Sequence, residues 1–185
     1  MPRVKPVFRP TDVSDEAGRA AVTAMFAQLM PGVVAPAFDE SHAGMAIAAR
    51  NPQLALHLAK ISGFLAGELP WSQRKDLREL AIQTVNRHYR CDYSFRARVP
   101  IAEAAGISRE LQDSLGNWRA SGLFDAEQRL VVEYAEGVVG GAVPAELFAR
   151  AVTAFGEAGA VECTAVIAFW GFWAMLLNAT AADLN

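Results

Sequence analysis

A cysteine, a serine and an arginine fall on one helical face in the run Cys91-Asp92-Tyr93-Ser94-Phe95-Arg96-Ala97-Arg98. Cys91, Ser94, Phe95, Arg98, Ala102 and Ala105 recur at spacings of three and four, which places them in one stripe. An arginine among small apolar residues must be paired or solvated, because taking its charge out of water is expensive. Glu79, on the preceding antiparallel helix, is the nearest partner by sequence. Arg98 is then either an anion clamp for the carboxylate of a small acid or a structural partner of Glu79. Glu79 is either that partner or a general acid/base. Cys91 sits near a helix start, where the dipole lowers a thiol pKa and favours a nucleophilic or redox sulfur; the alternative is an inert buried cysteine. His88, three residues before Cys91, is either a candidate proton carrier or a surface residue on the interhelical turn. Ser94 reads as a small packed residue.

These side chains need helices to hold them, and helix signals dominate the chain. Strand alternation and Asn-Gly or Asp-Gly hairpin turns are missing from the sequence. Ser14, followed by Asp15 and Glu16, predicts a capped helix to about Met30, and a second is expected from about Asp39 to Arg50. Asn51-Pro52 predicts a cap followed by proline at the first helical position, with a helix to about Gly67. Ser72 is expected to cap the next helix, which carries Leu77, Leu80, Ala81, Thr84 and Val85 and ends near Tyr89. The helix from about Cys91 to Ala105 contains Pro100, which predicts either a kink or two short helices. Gly106 stops it. Ser108 caps a short helix, and Asp125 with Gln128 matches a capping box. Pro144 opens a helix closing at Gly156, and the last runs from about Ala158 to Thr180. Short connections between many helices predict an all-α bundle of about eight to nine helices. Residues 1–38 read as an N-terminal arm and first helix, and 39–185 as the helical domain.

The stretch from Leu77 to Gly106 also resembles the carboxymuconolactone decarboxylase/AhpD-like family. The resemblance rests on Glu79, a cysteine helix twelve residues later, and Ala102 and Gly106 four and eight residues past Arg98. It extends to Asn51-Pro52, Arg78-Glu79-Leu80, Gly106-Ile107-Ser108 and Val161-Glu162. AhpD-type members carry Cys-x-x-Cys-x-x-x-His on this helix, and decarboxylase-type members Tyr-Glu-Trp-x-x-His. Cys91 and Tyr93 match; Ser94 replaces the second Cys or Glu, and Arg98 replaces the His. Ser94 cannot form the AhpD disulfide, and a guanidinium does not relay protons at neutral pH. The resemblance therefore implies an AhpD-like helical bundle and a cofactor-free enzyme acting on a small organic acid or lactone. In that reading Glu79, Cys91 and His88 are the catalytic candidates, and Arg98, Ser94 and Tyr93 the substrate-binding ones. A one-cysteine peroxidase using Cys91, or a non-catalytic binding protein that keeps the fold, are the alternatives. The resemblance also implies a homo-oligomer: trimer, hexamer or dimer.

Bulk properties bound the rest. The chain has 185 residues, 52% hydrophobic and 20% charged, enough for one domain with its own core. A net charge of -3 gives no basic field for nucleic acid and no run of Lys or Arg for a membrane surface. Two distant cysteines make no disulfide scaffold, and the first residues lack a signal-peptide core, so a cytoplasmic location is expected. The uncharged run from Cys163 to Leu177 is 15 residues, short of the roughly 20 that a membrane span needs, and reads as a buried core or interface helix. His42 and His57 show no metal-ligand spacing, and no metal is expected. Trp118, Trp170 and Trp173 read as core or interface anchors.

Overall fold

Capping side chains, prolines and glycines set the helix ends in a computed structural model that describes residues 2–182. The fold is all-α, with eight helices and no strand among the described residues. They are α1 (Glu16–Leu29), α2 (Ala43–Ala48), α3 (Pro52–Gly63), α4 (Lys75–His88), α5 (Asp92–Ala104), α6 (Arg109–Asp113), α7 (Ala126–Val139) and α8 (Ala145–Thr180).

Three expected caps are present. Asn51 accepts the Leu54 amide, Ser108 accepts the Leu111 amide, and Asp125 with Gln128 forms the reciprocal box at the start of α7. Three other expectations are corrected. Asp15, not Ser14, caps α1 by accepting the Gly18 amide. The segment 39–50 is a short 3-10 turn followed by the six residues of α2. Ser72 does not cap α4, which starts at Lys75; it lies in a 3-10 turn and donates to the Leu65 carbonyl at 2.5 Å. Pro100 sits inside a single continuous α5. Gly156 has φ 74 and ψ 168, a conformation essentially confined to glycine, and it breaks α8 into 145–155 and 157–180.

The described contacts divide the chain into two units: residues to Phe64 together with those from Leu176, and Leu65–Met175. In the first, α1 and α3 pack together around Ala21, Val22, Met25, Phe26, Ala55 and Ala59. In the second, α4 lies between α5 and α7. Its core gathers Leu80, Ala102, Ile107, Leu111, Leu115, Trp118, Phe124 and Val132, with Phe95 against them. By length and composition alone α8 is long and apolar enough to cross a membrane; Cys163, Val166, Ile167, Trp170 and Ala174 on it are buried.

Candidate functional site

The second unit holds the site. Glu79 lies in the first turns of α4 and is fully buried. Arg98, two turns into α5, reaches it with two nitrogens: Nε donates to Oε2 at 2.9 Å, and Nη2 lies 2.7 Å from both carboxylate oxygens. The Glu79–Arg98 pairing, one of the two alternatives that the sequence leaves for Arg98, is thus present. A second guanidinium joins it. Arg78 donates from Nε and Nη2 to Glu79 Oε1 at 3.2 and 3.1 Å.

Helix-end chemistry explains why Arg78 points there. After α3 the backbone widens into a π turn, Phe64–Glu68. Carbonyls at such an end lack donors within the helix and need outside partners. Ser72 takes the Leu65 carbonyl, and Arg78 Nη1 donates to those of Ala66 and Ser72 at 2.6 and 3.3 Å. Arg78 is held from both sides. Arg98 is held by Glu79 and by the Trp170 ring, whose centroid lies 5.3 Å from its guanidinium carbon.

The trio carries one negative and two positive charges. Burying an ion costs several kcal/mol, and a carboxylate with five charge-assisted contacts offsets that cost better than a single pair would. The side chains of Arg78 and Arg98 keep 13% and 20% exposure, against 0% for Glu79. Arg98 Nη1 donates to no described residue. The cluster therefore carries a surplus positive charge on two side chains that are only partly buried.

The other sequence candidates are placed differently. Cys91 precedes α5 as its cap residue and is buried. Its thiol is pushed up by burial; the Ser94 backbone amide opposes this, and the Asp92 charge adds to it. The expected lowering by the helix start does not survive desolvation. Ser94 is buried on the same face, and Tyr93 is half-buried beside it. His88 is exposed at the far end of α4, edge-on to Tyr89 at 5.0 Å. Nine residues of helix put it about 13 Å along the axis from Glu79. The geometry does not bring it to the carboxylate. Trp118 lies in the core as expected, whereas Trp170 also serves as the platform under Arg98.

Two groups of polar residues escaped the sequence reading. Arg78 was passed over because neighbours i and i+1 point apart on a helix; only its long side chain turns back to Glu79. A buried amide chain runs beside the cluster: Asn86 donates to Gln83, and Gln83 to Gln112 and the Phe95 carbonyl. Gln112 in turn donates to the Ile107 carbonyl at 2.9 Å, tying α6 to the end of α5. No local pattern marks a partner 29 residues away. His, Cys, Asp and Glu form no group of three that could hold a metal among the described residues. No family model, no curated protein and no solved structure matches the chain.

Proposed function

We propose that this chain is a carboxymuconolactone decarboxylase-like protein that takes a small organic acid or lactone at Arg98. The observation that supports this is the unequal charge of the trio. Two guanidiniums share one carboxylate, and Arg98, whose side chain is 20% exposed, spends none of its Nη1 donors on Glu79. A planar cation held from behind by Glu79 and from one face by Trp170 is preorganised for a carboxylate oxygen. Glu79 orients Arg98 in this account. Proton transfer by Glu79 requires both arginines to release it, so a decarboxylation or proton-transfer step depends on the bound acid drawing both Arg98 and Arg78 away.

A non-catalytic binding role is the second reading. It is favoured by the commitment of both Glu79 oxygens to arginines and by the distance of His88. The one-cysteine peroxidase alternative has less support, because it needs an accessible thiolate and Cys91 is buried with its thiol held protonated. The reading also includes a homo-oligomer, for which the exposed Val161, Ala165, Ala168 and Met175 of α8 are the apolar surface to be covered; light scattering of the purified chain tests it.

Nuclear magnetic resonance in heavy water separates enzyme from binder. Small aromatic carboxylates and muconolactones are incubated with the protein, and carbon dioxide loss or deuterium uptake next to the carboxylate is followed. Exchange or decarboxylation that disappears in Glu79→Gln supports the enzyme. Saturable binding without either supports the binder. Absence of binding by every acid and lactone contradicts both.

A further inference from the structure

A cavity of about 330 Å³ lies at the C-terminal end of α4 and is lined by Thr84, Arg87, His88, Leu115, Gly116 and Glu136. Two walls of this cavity carry opposite charge and do not meet. The Arg87 side chain makes no hydrogen bond or ion pair with a described residue. The side chain is exposed and passes close over Gly116. A β-carbon on Gly116 would stand 3.2, 3.5 and 3.8 Å from its Nη2, Nε and Cζ, so the guanidinium lies over a backbone that has no side chain to displace it. Gly116 does not have a positive φ; what its missing side chain provides is this seat.

Glu136 is fixed on the other wall. Trp118 Nε1 donates to Oε1 at 3.0 Å, and Arg119 Nη2 to Oε2 at 2.8 Å. Each oxygen keeps a further lone pair for another donor. The Arg119 guanidinium is itself fixed over the Trp118 ring, 4.4 Å from its centroid. The buried Leu115 and the exposed His88 also line it.

We propose that this cavity binds a small zwitterion, an aminocarboxylic acid, with its carboxylate on Arg87 and its ammonium on Glu136. A simple cation entering the cavity meets Arg87, and a simple anion bound to Arg87 leaves the Glu136 oxygens, already shared with Trp118 and Arg119, without the further donor that each can take. A molecule with both groups satisfies both walls. This places His88, singled out by the sequence, at a site of its own and away from Glu79.

Trp118 provides a local reporter, because its indole N–H is bonded to Glu136. Glycine, β-alanine and γ-aminobutyrate are titrated into the full chain at fixed ionic strength and pH, and the Trp118 indole resonance is followed in proton–nitrogen correlation spectra. The three differ in the spacing between acid and amine, so the best binder measures the gap. Acetate and methylammonium are the single-charge controls. A saturable shift is expected with at least one amino acid and with neither control at the same concentration. Arg87→Gln and Glu136→Gln should each weaken binding by about tenfold or more. Glu136→Gln keeps an acceptor for Trp118, and Gly116→Ala tests the seat of Arg87 independently by crowding its guanidinium. Arg98→Ala should leave this binding unchanged, which separates the two sites. The proposal is overturned if no amino acid gives a saturable shift, if acetate binds as well as they do, or if Arg87→Gln and Glu136→Gln bind with wild-type affinity.

Discussion

Glu79 holds two cations, and its loss should therefore cost more than the loss of either partner. Glu79→Ala leaves two guanidiniums facing each other at a partly buried site, and we expect a loss of about 3–5 kcal/mol in urea unfolding. Arg98→Ala leaves Glu79 paired with Arg78, and about 2 kcal/mol is expected. Equal losses would mean that Arg78 contributes nothing to the carboxylate. The two thiols make a pH prediction. Burial holds Cys91 and Cys163 above the ordinary thiol value of 9.0. A raised folded pKa stabilises the fold fully below the unfolded value, and this is lost as pH rises, because the unfolded thiols ionise first. The urea midpoint in reductant should therefore be lower at about pH 10 than at about pH 8. The difference should shrink when both cysteines are replaced by alanine.

Helix ends and breaks decide how these side chains meet. Gly156→Ala puts a β-carbon at φ 74 and ψ 168, and should destabilise by about 1–3 kcal/mol, read from the thermal midpoint. Asp125→Ala removes one half of the box at α7 and should cost about 1 kcal/mol. Much of this layer was legible in the sequence. Asn51-Pro52, Ser108, Asp125 with Gln128, and Gly106 act locally, so the sequence near each carries the information. Ser72 misled because its hydroxyl serves a carbonyl seven residues back instead of the helix ahead. The Glu79–Arg98 pair was readable because two antiparallel helices joined by a short turn bring such positions together. Arg78, Trp170 and the Gln83–Gln112 bond were not, since each depends on packing that no periodicity encodes.

Across the whole chain, each unit has its own means of cohesion. In the unit that contains both chain ends, the Arg3 backbone donates to the Thr180 carbonyl at 2.8 Å, and Val7 to that of Ala46 at 2.8 Å. In the other, α4 carries Glu79 near one end and Arg87 and His88 at the other, so a single helix borders both proposed sites. Binding at either should raise the apparent stability of the native state by mass action. The most direct test of the account is therefore the thermal midpoint of the wild type and of Arg98→Lys and Arg98→Ala, in the presence of aromatic carboxylates and muconolactones. The account predicts that at least one such acid raises the wild-type midpoint in a concentration-dependent way. Arg98→Lys should respond less, having a charge but no fork, and Arg98→Ala should not respond at all. Equal shifts in all three proteins, or no shift with any acid, would contradict the role given to Arg98.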